Sequence, residues 1–304
     1  MSDQVGRARL LLVDASIYLF RGWSSLPEVW RDAAGVPTNG VLGFARALVS
    51  GILTHAPTHV GVAFDTSLNG CFRNELYARY KAHRPPPDAA VIAQTVHCQQ
   101  LVALLGLHGS ADVRYEADDL IASLLTMWRG GGADGEVWLM TRDKDFGQLL
   151  NDARTRVWDT NGEPALDRAA FIGKFRVDPE RFPDYQALVG DKVDNIPGVP
   201  GVGATTAAQL LQRYASLEDI YAHLDDIDSG AVGVRRHQRV VQDLRQARDH
   251  VFLMRELTRL RRDVAPLQSA AQLRPQARDE PGLQAWLVAT GLAQALQLPA
   301  FAHD

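Results

Sequence analysis

The chain has 304 residues, an apolar fraction of 46% and a formal net charge of −4 at pH 7, which suits one large or two modest globular domains and excludes a disordered or fibrous chain. Two cysteines, Cys71 and Cys98, lack CxxC spacing and are too few for a disulfide framework, so reduced thiols in a cytoplasm are expected. The first apolar run, residues 10–13, is too brief for a signal peptide or membrane span, so nothing there is expected to export or anchor the chain.

In chain order, "ARLLLVDA" reads as a buried strand, "GVLGFARALVSGILTH" as a helix, "THVGVAFD" as a strand and "AAVIAQTVHCQQLVALLG" as a helix. "EADDLIASLLTMWRG" then reads as a helix and "EVWLMTRD" as a strand. Strands and helices taking turns imply right-handed crossovers, hence an α/β fold with a mostly parallel twisted sheet flanked by helices. After "TRVWDT" the elements become helical: "RAAFIGKF", "FPDYQALVG", "ATTAAQLLQRY", "SLEDIYAHL" and the Arg-rich "VFLMRELTRLRR". The boundary falls near residues 161–167, giving an α/β domain over 1–165 and a helical region over 166–304, of which 266–304 reads only as helical packing.

Ligands of an open parallel sheet bind outside the carboxyl ends of its strands. The three strands deliver Asp14, Asp65, and the pair Asp143 and Asp145 at that edge. The helix opening at Glu116 adds Asp118 and Asp119, and "GDKVDN" adds Asp191 and Asp194 just ahead of a glycine-rich turn. Singly, an Asp after a strand is more often a turn or cap residue. Nine carboxylates at one edge exceed what capping needs, and their repulsion is prohibitive without divalent cations. An all-oxygen set without His or Cys points to Mg²⁺ or Mn²⁺ rather than zinc. Two such cations held about 4 Å apart form a clamp for in-line attack of water on a phosphodiester, so hydrolysis of nucleic acid is the natural reading.

The mild negative charge does not oppose a nucleic-acid partner, because it is a sum over an acidic pocket and basic patches. In "GVPGVGATTAAQLL", Gly198, Gly201 and Gly203 precede an amphipathic helix, so backbone N–H groups there can face a phosphate. In "CFRNELYARYKAHRPPPD", Arg73, Arg79, Lys81, His83 and Arg84 interleave with Phe72, Tyr77 and Tyr80, the combination used on single strands. The plain alternative for that stretch is a solvated amphipathic helix ended by Pro85, Pro86 and Pro87. A further basic run, "RRHQR" at 235–239, reads as a solvated face before a duplex contact.

The segments "LLVDASIYLFR", "VAFD", "FRNELYARYKAHRP", "YEADDLIASL", "TRDKDFGQLL" and "PDYQALVGDKVDNIPGVPGVGATTAAQLL" resemble, in order, the 5′-nuclease or flap endonuclease superfamily. The match is to the 5′→3′ exonuclease domain found at the N-terminus of bacterial DNA polymerase I and as stand-alone proteins. The resemblance implies a helical arch around 70–100 and a helix-three-turn-helix module around 186–221 gripping duplex DNA. It implies a first metal group of Asp14, Asp65, Glu116 and Asp118, with Asp119 close by, and a second of Asp143, Asp145, Asp191 and Asp194. Lys81 matches the arch lysine beside the scissile phosphate, Arg84 lies one helical turn along, and Arg21 matches a basic residue near the same phosphate. Arg73 and Tyr77 fall in the arch, where Tyr77 is placed to stack on a displaced base. Gly198, Val199, Gly201, Val202, Gly203 and Thr206 match the duplex-binding turn, with the carbonyls of Val199 and Val202 as K⁺ ligands.

Departures from the family are Thr205 where lysine is common, which implies one phosphate contact fewer and a reduced duplex affinity, and Ala15 where glycine is frequent and Val193 where serine is common, neither of which removes a ligand. The implied protein is a cytoplasmic monomer, a Mg²⁺-dependent structure-specific 5′-nuclease of replication or repair. It would act on DNA with a 5′ flap, overhang or nick, and on RNA-primed strands. With the chain ending at Asp304, coupling to polymerisation is expected in trans. Two other readings compete: a PIN-like ribonuclease, which needs neither the glycine turn nor a basic arch, and a branched-DNA-binding protein whose acids hold metal without turnover.

Overall fold

The computed structural model describes residues 8–66, 70–132, 134–264 and 267–299. Pro266 and residues 300–304 of the C-terminal segment lie outside them. The chain begins with strand β1 (Arg9–Asp14), helix α1 (Ala15–Ser25), helix α2 (Asn39–His55) and strand β2 (His59–Asp65). A short helix α3 (Phe72–Leu76), then α4 (Ala89–Leu104), β3 (His108–Asp112), α5 (Ala117–Gly130), β4 (Glu136–Met140) and β5 (Thr155–Trp158) complete the α/β layer.

The five strands form one parallel sheet in the order β3-β2-β1-β4-β5. The order reverses beside β1, which places the crevice of an open α/β sheet at the carboxyl ends of β1 and β4. Alternation along β1 sends Leu10 and Leu12 to one apolar cluster and Leu11 and Val13 to the other, all four fully buried. Each such side chain contributes about 1.5–3 kcal/mol of transfer free energy, so both sheet faces are fixed against helices. Helices α1, α2 and α4 cover one face. Helix α5 covers the other and continues the core into the helical region.

That region comprises α6 (Arg168–Phe175), α7 (Phe182–Val189), a hairpin of β6 (Gly190–Asp191) and β7 (Ile196–Pro197), then α8 (Ala204–Arg213), α9 (Leu217–Ala222), α10 (Leu224–Asp228) and α11 (His237–Thr258). The last helix, α12 (Glu280–Ala289), leaves the helical region and packs on the α/β layer: Trp286 Nε1 donates to the His97 carbonyl at 3.2 Å, and Thr38 Oγ1 to the Thr290 carbonyl at 2.9 Å.

The segment between β2 and α4 is only partly helical. After α3 the chain runs through turns from Tyr77 to Arg84, with Lys81 at φ +51°, and Pro85 to Pro87 keep it extended until Asp88 caps α4. The Lys81 N–H donates to the Asp194 carbonyl at 3.0 Å, so this stretch is pinned over the β6–β7 hairpin.

Candidate nuclease site

Each acid reaches the crevice for a local reason. Asp14 and Asp65 are the last residues of β1 and β2, Glu116 precedes α5, and Asp143 opens the 3-10 turn Lys144–Leu149 after β4. Asp65 Oδ1 accepts from the Ala117 N–H at 2.8 Å, which ties the end of β2 to the start of α5. Glycine governs the second group. A Cβ on Gly198 would lie 2.3 Å from the Val189 backbone carbon, so the turn and α7 can touch only without a side chain there. That contact holds the β6–β7 hairpin, and with it Asp191 and Asp194, against the site.

A cleft of about 520 Å³ brings together Asp14, Asp65, Asp118 and Asp143 with Lys81, Arg84 and Arg21. Beside it, Asp145, Asp191 and Asp194 each offer a carboxylate oxygen, all within 4.8 Å of one another. Burial pushes the Asp14 carboxyl up to about 8, aided by the charges of Asp65 and Asp143. Burial, then neighbouring carboxylates, also raises Asp65 and Asp118 (beside Glu116) and Asp145 (beside Asp143). Glu116 is the exception: burial would raise it, but Lys81 and Arg73 outweigh that and hold its carboxyl below the usual range. Asp14 Oδ1 is buried without a hydrogen-bond partner. Buried carboxylates that repel one another, one of them with an oxygen that has no donor, suit hard cations such as Mg²⁺ or Mn²⁺.

Cations border these acids. Lys81 Nζ donates to Glu116 Oε1 at 2.6 Å, Arg84 Nη2 to Asp194 Oδ1 at 2.8 Å, and the Tyr80 hydroxyl to Glu116 Oε2 at 2.8 Å. Arg21 donates both Nη groups to Asp159, at 2.8 and 2.9 Å, while its side chain remains 32% exposed at the cleft.

Two expectations need correction. Arg73 is 2% exposed and cannot reach a nucleic-acid phosphate. It donates to Glu116 Oε2 at 3.0 Å, to both oxygens of Asp119 at 2.6 and 2.8 Å, and to the Leu257 carbonyl at 2.7 Å. Asp119 is fully buried, and its oxygens are taken by Arg73, by the Arg261 N–H at 2.9 Å and by the Glu116 N–H at 3.3 Å, so it holds Glu116 in place and has no free oxygen for a metal. Sequence could not separate these roles, because both residues sit among others that do face the cleft.

Tyr77 is half-buried, its ring 6.4 Å from that of His250, so its face is partly spent on α11. In the glycine turn, Gly201 takes φ +77°, and Gly203 precedes α8, leaving Gly203 exposed and Thr206 half-buried in the first turn. Val199 and Val202 bury their side chains, and the Val199 carbonyl accepts from the Val202 N–H at 3.0 Å. In the "RRHQR" run, Arg239 pairs with Asp243 at 2.9 Å.

Several residues escaped the sequence reading. Phe20, 37% exposed, and Trp23 line the cleft, their rings 6.3 Å apart, as do Ser16 and Arg142. Asp159 holds both Arg21 and, at 3.5 Å, Arg142. It follows β5 directly, so the rule that found Asp14 and Asp65 would have found it had "TRVW" been recognised as a strand.

The model of the 5′-3′ exonuclease N-terminal resolvase-like domain matches residues 9–176, and that of the 5′-3′ exonuclease C-terminal SAM fold matches 177–281. A 5′-3′ exonuclease of Aquifex aeolicus is 36% identical over 211 residues, 69% of this chain and 71% of that protein. DNA polymerase I of Mycobacterium leprae is 36% identical over 274 residues, 89% of this chain; the chain thus spans 29% of that relative's length. The fold is shared with the bacteriophage T5 flap endonuclease solved with DNA and metal ions, at 19% identity and a TM-score of 0.65, over 93% of this chain and 99% of that one. With the two domain models matching consecutive stretches over residues 9–281 and the acids gathered at one sheet edge, the chain belongs to the 5′-3′ exonuclease family.

Proposed function

We propose that this chain is a divalent-metal-dependent, structure-specific 5′-nuclease that removes 5′ flaps and degrades DNA from a 5′ end. The observation that carries the reading is the convergence of buried, mutually repelling carboxylates from β1, β2, α5, the turn after β4 and the β6–β7 hairpin, with lysine and arginine at their rim. Asp14, Asp65, Glu116 and Asp118 would hold one Mg²⁺, and Asp143, Asp145, Asp191 and Asp194 a second; Mn²⁺ would serve in its place. Bound there, such ions would lower the pKa of water and neutralise charge on a phosphodiester.

The protein's own groups would then place the substrate. Lys81 and Arg84 stand where a phosphate over the acids would be met by two cations, and Arg21, aligned by Asp159, adds a third. Once bound substrate displaces water from the cleft, their stabilisation of developing phosphate charge would be worth more than in open solvent. Gly198, Gly201 and Gly203, with the N-terminus of α8 and Thr206, offer N–H groups to the duplex backbone. Carbonyls of Val199 and Val202 would bind K⁺ there. We assign the substrate as DNA with a 5′ flap, overhang or nick, RNA-primed strands included, and the active species as a monomer in replication or repair.

The test is cleavage of matched 5′-flap and 3′-flap duplexes in Mg²⁺, with and without EDTA. Preferential cutting of the 5′ flap, abolished by EDTA, is expected. Equal cutting of both polarities, or cutting that survives chelation, would refute the assignment.

A further inference from the structure

Lys144 stands between Asp143 and Asp145, and nothing above gives it a role. Its Nζ donates to Asp191 Oδ2 at 2.5 Å, while Asp191 Oδ1 accepts from the Val193 N–H at 2.9 Å. Asp191 is only 6% exposed, so its carboxylate cannot turn to water in exchange for a lost partner. The Lys144 side chain is 39% exposed and can move its ammonium to solvent at little cost. Arg73 on Glu116 shows the opposite arrangement: 2% exposed and anchored to two acids and two backbone carbonyls, it is fixed. The Asp191 oxygen that Lys144 holds belongs to the acid whose neighbours Asp145 and Asp194 complete the tight oxygen cluster. Asp145 takes its hydrogen bond from a neutral group instead, the Gln186 amide at 2.6 Å.

We propose that Lys144 is a displaceable counter-ion of the second acid group. It neutralises Asp191 and competes with a divalent cation for the same carboxylate, so it weakens cation binding at this group. The inference rests on the metal reading above. It also gives the lysine a purpose: repulsion among Asp145, Asp191 and Asp194 is relieved without closing the site, because the group that relieves it can swing away.

The test is Mn²⁺ binding to the full chain without nucleic acid, followed by the paramagnetic resonance of the free ion. Wild type is compared with Lys144→Met, Lys144→Gln and Lys144→Arg, and with Asp191→Asn to assign the site that involves Asp191. Removing the charge is expected to tighten binding at that site about tenfold in both neutral variants, a charge-assisted hydrogen bond being discounted for solvent screening. Lys144→Arg should stay within about twofold of wild type. Circular dichroism confirms the fold of each variant, and either neutral one suffices. Unchanged or weaker binding in the folded neutral variant would overturn the proposal and leave Lys144 as a group that merely orients Asp191. If wild type binds no Mn²⁺, the metal reading itself fails and this proposal with it; binding in wild type without change in the variant refutes only the role of Lys144.

Discussion

Replacing Arg73 by methionine tests whether it belongs to the core or to the substrate surface. The substitution keeps most of the aliphatic stem and removes a guanidinium that bridges Glu116, Asp119 and the carbonyls of Leu257 and Arg259. Asp119, fully buried, would lose both of its side-chain cation contacts, while Glu116 would keep Lys81. Removing one partner of a buried ion pair costs about 3–5 kcal/mol, because the charge left behind is neither solvated nor paired. Against a total stability of about 5–15 kcal/mol, that loss is large. Urea unfolding followed by circular dichroism should show a much lower midpoint at an unchanged slope. Adding Asp119→Leu to Arg73→Met should recover part of the loss, since the stranded charge is gone. A cost below about 1 kcal/mol, with a selective loss of DNA affinity, would refute the reasoning and return Arg73 to the phosphate surface.

The Asp14 carboxyl is pushed up to about 8 by burial and by Asp65 and Asp143, against 3.8 in the unfolded chain. Its contribution to stability is therefore full below about pH 4 and is lost as pH rises through about 8. With divalent ions chelated, Asp14→Asn should melt above wild type at pH 8 and level with it near pH 4; equal melting at both would contradict the shift. Gly198→Ala should cost about 1–3 kcal/mol in thermal unfolding, because its Cβ meets backbone that cannot yield, and should reduce cleavage by moving Asp191 and Asp194. An unchanged melting temperature would show that the close approach is not needed. Phe20→Ala should weaken flap binding by about tenfold in fluorescence anisotropy while leaving stability nearly unchanged, as expected of an exposed ring that stacks on a base. Unaltered affinity would remove Phe20 from the path of the substrate.

The sheet edge was legible because Leu10 to Val13 and Val60 to Phe64 are apolar runs that only a strand buried on both faces needs, and each ends in an acid. The flanking strands were not. β3, "HGSAD", is a half-exposed edge strand with no β-branched residue, and β5 has only four residues. Helix α1 carries a readable signature, with Ala15, Tyr18, Leu19 and Gly22 buried at helical spacing. What the sequence could not show is direction. Arg73 and Lys81 both read as basic residues of one segment, but α3 faces the Arg73 guanidinium inward to Asp119 while Lys81, in the following turns at a positive φ, stays at the cleft rim. Such choices depend on contacts with residues far along the chain, as between Arg73 and the Leu257 carbonyl.

Whether the clustered acids make this chain a nuclease is tested most directly by cleavage of a labelled 5′-flap duplex in Mg²⁺ by wild type and by Asp143→Ala. Asp143 lines the cleft and its carboxylate adjoins Asp14, so its removal should abolish turnover while flap binding and the folded circular dichroism spectrum persist. Cutting near the flap junction by wild type, absent in the variant, is the predicted result. Equal cutting by both, or binding without cutting by wild type, would contradict the account.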